Sequence, residues 1–126
     1  MKEPSSKPLI SIKNLSISFL SNKQIVNAVS SISFDVLENE ILGIVGESGS
    51  GKSVTALAIL KLLPKNKTIL EGSINYQNNN LLDLEDIEIR KIRGKDIAII
   101  FQEPMSALNP TMRCVDQLRE CIKEVH

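Results

Sequence analysis

Apolar and polar side chains alternate along the first part of the chain, a pattern typical of strands buried on one face. The alternation runs from Ile10 to Phe19 and changes phase once, at Lys13–Asn14, which indicates a bulge. A second alternating run lies between Ile32 and Val36, and the polar residues 21–23 predict a turn after the first run. Two successive amphipathic strands of this kind predict an antiparallel pair.

The pattern then changes to apolar runs without alternation. Ile41–Val45 and Ile97–Phe101 are apolar at successive positions, as expected of strands covered on both faces in a parallel sheet. Between them, Lys52–Leu63 is apolar on nearly every side and is followed by Pro64, which predicts a buried helix that ends there. The sequence therefore predicts a strand, a loop and a helix in that order around residues 41–63.

The second half of the chain predicts three further elements. Gly72–Tyr76 has the composition of a short strand. Asp83 is placed as the N-cap of a helix that carries acidic residues in its first turn, basic residues in its last turn and Gly94 beyond its end. The prolines at 104 and 110 bound a predicted loop, and the residues from Val115 onward predict a helix.

Composition bounds the class of protein, whereas the charge balance excludes little, because a local basic patch is compatible with it. The chain has 126 residues, 42% of them hydrophobic, enough for one domain with a packed core. Its 15 basic and 15 acidic residues balance, so no net charge attracts it to nucleic acid or anionic lipid. The first residues lack the apolar core of a signal peptide, and no apolar run approaches the roughly 20 residues of a membrane span. Cys114 and Cys121 are predicted to be reduced thiols.

A glycine-rich loop carries the strongest chemical signal. Its glycines allow successive backbone amides to converge on phosphate oxygens, its lysine adds a positive charge for the β and γ phosphates, and its serine hydroxyl is placed to bind Mg²⁺. The alternative is a chance match, but the predicted strand before the loop and helix after it supply the context that the motif requires. The loop reads Gly46-Glu47-Ser48-Gly49-Ser50-Gly51-Lys52-Ser53.

Two motifs together point to one family. The segment FQEPMSALNP, residues 101–110, resembles the Q-loop of ABC transporter ATPases. Its sequence is similar to the Q-loop of the subfamily that energises oligopeptide, dipeptide and nickel importers. The segment GESGSGKSVTALAILKLLP, residues 46–64, resembles the phosphate loop and first helix of the same subfamily. The resemblance extends from about Leu9 to the end of the chain.

The resemblance implies roles for individual residues. Gly46–Ser53 would be the Walker A loop that holds ATP, and Ser53 would bind Mg²⁺. Gln102 would reach the Mg²⁺ ion and the attacking water, and would transmit the nucleotide state to the membrane subunit. Phe19 stands where the family has an aromatic residue stacked on adenine, although a core phenylalanine on an amphipathic strand is the alternative.

The resemblance also implies a fold and a domain. The expected class is the α/β P-loop NTPase fold of ABC ATPases, with an antiparallel β layer and an incomplete parallel-sheet core. No stretch supplies the family's signature motif, Walker B aspartate, catalytic glutamate or switch histidine. Residues 1–126 are therefore expected to be the N-terminal portion of one nucleotide-binding domain, truncated before the signature motif and inactive as an ATPase alone.

The complete protein would be the ATP-binding subunit of an importer for peptides or a similar small solute. It would work with transmembrane permease subunits and a second nucleotide-binding subunit, identical or different, on the cytoplasmic face of the cell membrane. Another P-loop enzyme is the rival class, but the N-K-x-D motif of GTPases is absent and Gln102 is not expected in a small kinase. An inert fragment that only retains the family's sequence is the third possibility.

Overall fold

The computed structural model describes residues 7–21, 24–103 and 108–125. Their contacts form two compact units, residues 1–89 and residues 90–126. The first unit contains a sheet and the helix that follows the glycine-rich loop. The second contains the segment around Gln102 and the C-terminal helix.

An antiparallel sheet forms the first unit, with strand order β2-β1-β3-β4. Strand β1 (Ile10–Ser21) lies between β2 (Gln24–Val36) and β3 (Thr68–Tyr76), and the two-residue β4 (Asn79–Asn80) pairs with the end of β3. The predicted antiparallel pair of β1 and β2 is confirmed. The turn predicted at residues 21–23 falls largely outside the described residues, because 22 and 23 are not among them.

The bulge predicted in β1 is confirmed at Asn14. Its φ is 49°, and the pairing with β2 shifts register between Ile12 and Leu15. On the other side of β1, Gly72 of β3 has a φ of 94°, and a Cβ there would lie 2.4 Å from the Asn14 carbonyl oxygen. The bulge thus requires a residue without a side chain on the neighbouring strand.

The core of the first unit is mainly aliphatic and also contains the buried ring of Tyr76. Alternate side chains of β1 and β3 face it, together with buried side chains from residues 58–63 and 81–89. The burial of these side chains removes apolar surface from water and is the main contribution to folding. The fully buried large side chains are Ile12, Leu15, Ile17, Ile74, Leu81 and Ile89.

Helix α1 (Lys52–Ile59) follows the glycine-rich loop and is shorter and less buried than predicted. Only Thr55 and Ala58 within it are buried, so the expected burial on nearly every side is wrong. The helix ends before Pro64 because Lys61 takes a left-handed conformation with a φ of 50°, which turns the chain. A 3₁₀ turn, Lys65–Lys67, then leads into β3.

The two buried strands predicted from the unalternating runs are not present in this structure. Residues 41–45 form no strand, and the side chains of Ile41 and Val45 are 99% and 94% exposed. Residues 97–101 contribute one isolated parallel bridge, between Arg93 and Ile97, and Ile100 is 95% exposed. Both predictions are wrong here because a strand needs a neighbouring strand for its hydrogen bonds, and the described residues provide none.

Helix α2 (Asp86–Ile92) begins two residues later than an N-cap at Asp83 predicts, so the assignment of Asp83 as its N-cap is wrong. The Asp83 carboxylate accepts a hydrogen bond from the Asn80 side-chain amide instead. At the helix start the Glu85 amide donates to the Glu88 carboxylate at 2.8 Å, which satisfies one free backbone donor. Gly94, with a φ of 76°, follows the helix as predicted.

The second unit contains helix α3 (Cys114–Val125), which confirms the predicted C-terminal helix. Its Gln117 side chain donates to the Asn109 and Met112 carbonyl oxygens, both at 3.1 Å, and so fixes the preceding turn. Both cysteines lie on this helix as exposed free thiols. None of the helices among the described residues is long and apolar enough to cross a bilayer.

Candidate nucleotide-binding site

The glycine-rich loop is attached to the sheet at Gly51. This residue is buried and has a φ of 88°, a left-handed conformation that side chains disfavour. A Cβ at Gly51 would lie 2.6 Å from the Val29 Cγ2 and 2.7 Å from the Ala28 carbonyl oxygen, both on β2. Only glycine allows the backbone to approach β2 this closely while it turns into α1.

Thr55 strengthens this junction from one turn further along α1. Both its backbone amide and its Oγ1 donate to the Gly51 carbonyl oxygen, at 2.8 Å and 2.9 Å. The side chain of Thr55 is buried, so these bonds are sheltered from water. The carbonyl at the end of the loop is therefore held by two donors of the same residue.

The rest of the loop is exposed to solvent and closes on itself. Residues 46–50 are exposed, and the Ser50 amide donates to the Glu47 carbonyl oxygen at 3.2 Å, which forms a turn. Gly49 in this turn has a φ of 82°. A Cβ at Gly46 would lie 2.6 Å from the Ser50 Oγ, so the two ends of the turn nearly touch.

The Lys52 ammonium group lies across this turn. Its Nζ donates to the Gly46 and Glu47 carbonyl oxygens, both at 2.6 Å, and to the Ser50 Oγ at 3.1 Å. The three donors of the ammonium group are thus occupied by loop atoms. The structure therefore brings the positive charge of Lys52 onto the loop itself.

The first turn of α1 presents backbone donors immediately after the loop. Helix geometry leaves the amides of Lys52, Ser53 and Val54 without an intrahelical acceptor, and the N-cap residue Gly51 has no side chain to cap them. Free amides and the positive end of the helix dipole form a site for an anion such as a phosphate group. The exposed Ser53 hydroxyl lies on this turn.

The donor set fits a Mg²⁺–nucleotide complex better than a metal ion bound by protein alone. No group of three or more His, Cys, Asp or Glu residues suited to a metal ion occurs in the part of the chain that the structure describes. A hydroxyl such as that of Ser53 contributes one oxygen, and phosphate oxygens and water complete the coordination that Mg²⁺ prefers. The loop residues therefore suit Mg²⁺ that arrives with a phosphate chain.

Phe19 lies on β1, opposite Val26 of β2 and Thr68 of β3. Its side chain is half-buried. Partial exposure leaves part of the ring accessible for stacking, and partial burial is equally compatible with a role at the edge of the core. The predicted contact with adenine stays a prediction.

Gln102 lies in the second unit, in a segment without regular structure. Its side chain is exposed, as is that of Phe101 before it. The following residues 104–107, which belong to the predicted loop, lie outside the described residues. Because the glycine-rich loop belongs to the first unit, the predicted role of Gln102 at Mg²⁺ stays a prediction.

The sequence reasoning missed the residues that support the loop from beneath. Thr55, Ala28 and Val29 hold or contact Gly51, but none of them belongs to the motif. A threonine one turn after a helix start is a recognisable signal, since its hydroxyl can bond back to the carbonyl four residues earlier. Ala28 and Val29 carry no such signal, because their contact depends on how the loop lies against β2.

Comparison with known proteins decides the family. The sequence profile described as ABC transporter matches residues 29–125, which is most of the chain. The chain belongs to the ABC transporter family. This membership rules out the small kinase and the GTPase as alternatives, and it places the glycine-rich loop in the sequence context of an ABC ATPase.

Relatives of this ABC transporter chain include proteins named for peptide import. It is 47% identical over 115 residues to the dipeptide transport ATP-binding protein DppD of Bacillus subtilis (strain 168), and covers 34% of that protein with 90% of its own length. It is 46% identical over 112 residues to the DppD protein of Lactococcus lactis subsp. cremoris (strain MG1363), covering 32% of it with 89% of its own length. The chain thus spans about a third of the length of these relatives.

A solved structure supports the same fold for this ABC transporter chain. The dimeric structure of MJ0796, a bacterial ABC transporter cassette, superposes with a TM-score of 0.75 at 26% identity. The match covers 93% of this chain and 48% of the cassette. The antiparallel sheet, the glycine-rich loop and the helices therefore belong to the P-loop fold of ABC ATPases.

Replacement of Gly51 by alanine tests the junction between loop and sheet. The left-handed φ costs a residue with a Cβ about 1–2 kcal/mol, and the contact with the Ala28 carbonyl adds to this. We expect hydrogen exchange of the Thr55 amide to become about tenfold faster or more, since about 1.4 kcal/mol corresponds to tenfold.

Gly43→Ala is the matched control for this experiment. A Cβ at Gly43 meets no atom within 4 Å, and its φ is not in the left-handed range, so exchange of the Thr55 amide should stay as in the parent chain. If the Thr55 amide were equally protected from hydrogen exchange in the Gly51→Ala variant and in the parent, the inferred close contact between Gly51 and β2 would be contradicted.

Proposed function

We propose that Gly46–Ser53 binds the triphosphate of ATP together with Mg²⁺, and that the chain acts in the ATP-binding subunit of an ABC importer. The observation that carries this proposal is the geometry of the loop: the Lys52 ammonium group lies across the turn of residues 46–50, and the free amides of the first turn of α1 follow it directly in the chain. These are the donors that recognise phosphate in P-loop proteins.

ATP binding changes the partners of Lys52. Charge-assisted hydrogen bonds to phosphate oxygens are stronger than those to neutral carbonyls, so the ammonium group exchanges the Gly46 and Glu47 carbonyls for phosphate. Glu47, Ser48 and Gly49 contribute backbone amides to the same phosphates, and the Ser50 amide exchanges its bond to the Glu47 carbonyl for phosphate. The Ser53 hydroxyl would hold Mg²⁺. Bound Mg²⁺ neutralises phosphate charge, which is the chemistry that it supplies for phosphoryl transfer.

Two further residues complete the proposed site in the full-length protein. Phe19, half-buried at the end of β1, provides a surface on which adenine stacks. Gln102, exposed in the second unit, orients the attacking water at Mg²⁺ and reports the presence of the γ-phosphate to the membrane subunit. The family resemblance of residues 101–110 supports this role.

The full-length protein couples ATP binding and hydrolysis to the uptake of peptides or a similar small solute. The names of the relatives from Bacillus subtilis and Lactococcus lactis, which specify dipeptide transport, support this substrate class. Its partners are transmembrane permease subunits and a second nucleotide-binding subunit, and the dimeric cassette structure supports such pairing. We place it at the cytoplasmic face of the cell membrane, held there by its permease partners.

Replacement of Lys52 by alanine tests the phosphate site. In the full-length protein it removes the one side-chain cation of the loop, so we expect ATP affinity to fall at least tenfold and ATP hydrolysis to be lost. Lys67→Ala is the control, since Lys67 is an exposed lysine on the 3₁₀ turn and should leave both unchanged. A Lys52→Ala protein that hydrolyses ATP at the parental rate would show that the loop assignment is wrong.

Replacement of Gln102 by alanine separates coupling from binding. ATP affinity of the full-length protein should stay within about twofold of the parent, because the loop and Lys52 are intact, whereas transport should fall by an order of magnitude. Gln77→Ala, in the exposed turn before β4, serves as the glutamine control. Loss of ATP binding with normal transport per bound nucleotide would refute the role assigned to Gln102.

The behaviour of the 126 residues by themselves is a separate prediction. The exposed side chains of Ile41, Val45 and Ile100 offer apolar surface and unpaired backbone, which favour self-association. We expect a broad thermal transition, oligomers in size-exclusion chromatography and no ATP turnover. A monomer with one sharp transition and Mg²⁺-dependent hydrolysis that Lys52→Ala abolishes would overturn this expectation.

A further inference from the structure

Lys61 occupies the position after α1 that usually belongs to glycine. The helix ends with two hydrogen bonds that form a Schellman motif: the Lys61 amide donates to the Ala58 carbonyl at 3.0 Å, and the Leu62 amide to the Leu57 carbonyl at 2.9 Å. Lys61 takes the left-handed conformation of this motif, with a φ of 50°. A side chain at such a position is unfavourable, so a lysine there requires a compensating contact.

The side chain of Lys61 makes that contact with a distant part of the chain. Its Nζ donates to the Leu82 carbonyl oxygen at 2.8 Å and to the Leu84 carbonyl oxygen at 2.6 Å, in a partly buried place. These carbonyls belong to the segment between β4 and α2. Lys61 therefore anchors the C-terminal end of α1 to residues 82–84 by two charge-assisted hydrogen bonds.

The same helix carries the phosphate loop at its other end. Helix α1 has eight residues and a length of about 12 Å at 1.5 Å per residue, so it moves as one rigid unit. At its start the backbone rests against β2 through Gly51. The position of the first-turn amides along the helix axis is consequently fixed at two points, Gly51 and Lys61.

We propose that Lys61 is a positioning residue for the phosphate site. By holding the far end of α1 against residues 82–84, it keeps the first-turn amides and Lys52 in the place where they receive phosphate. The proposal rests on the proposed function of the loop in ATP binding. It assigns to Lys61 a role that the motif Gly46–Ser53 does not contain.

Two substitutions separate this role from simple support of the fold. Lys61→Met removes the ammonium group but keeps a side chain in the left-handed conformation, whereas Lys61→Gly removes the ammonium group and relieves that conformation. Lys67→Met, on the exposed 3₁₀ turn, is the matched control. In the full-length protein, thermal unfolding without nucleotide, the Kd for ATP and hydrogen exchange of the Thr55 amide are measured for each variant.

If Lys61 is a positioning residue, the ATP affinities of the Lys61 variants should not correlate with their unfolding temperatures. We expect Lys61→Gly to unfold near the parental temperature and Lys61→Met below it, while both bind ATP about fivefold more weakly. The control Lys67→Met should match the parent in every measurement. If Lys61→Gly binds ATP as tightly as the parent, Lys61 only supports the end of the helix and the proposal is overturned.

Exchange of the Thr55 amide tests the proposal without nucleotide. The Thr55 amide lies in the first half of α1 and bonds to the Gly51 carbonyl. If loss of the Lys61 contacts displaces α1 as far as the loop, the Thr55 amide should exchange about fivefold faster in both variants. Faster exchange confined to the amides of Lys61 and Leu62 would overturn the proposal. A parent protein that binds no ATP would refute the proposed function, and the Thr55 result would still decide the role of Lys61.

Discussion

The close approach of Gly51 to β2 is the contact on which the candidate site depends. A backbone that lies within van der Waals distance of the Ala28 carbonyl leaves no room for a Cβ, and the left-handed φ excludes most other residues independently. This contact sets where α1 begins and in which direction it leaves the sheet. The free amides of its first turn and Lys52, whose ammonium group bonds to the loop carbonyls, follow directly after this contact in the chain.

The sheet that supports Gly51 combines a hairpin with a strand from further along the chain. Strands β1 and β2 are consecutive and antiparallel, so their pairing needs only a short connection. Strand β3 pairs with the other side of β1 after α1, so the loop and α1 lie in the connection between β2 and β3. The aliphatic core between this sheet and the segments around the two helices follows from the alternation of apolar side chains.

The two lysines at the ends of α1 show how one type of side chain serves different purposes. Lys52 donates to exposed carbonyls of a turn, which a charged ligand can replace. Lys61 donates to carbonyls in a partly buried place, where competing water has less access. The greater burial of the Lys61 hydrogen bonds makes them harder for water or a ligand to replace than those of Lys52.

The sequence by itself determined the elements that rest on local patterns, and it predicted the phosphate loop. Alternation predicted β1 and β2, the phase change predicted the bulge at Asn14, and the spacing of glycines, lysine and serine predicted the phosphate loop, because each depends on residues close together in the chain. Tertiary structure alone decided the contact of Gly51 with Ala28, the attachment of Lys61 to residues 82–84 and the exposure of Ile41–Val45. An apolar run becomes a buried strand only when other strands lie beside it. A lysine links two segments only when folding brings carbonyl oxygens within hydrogen-bond distance of its ammonium group.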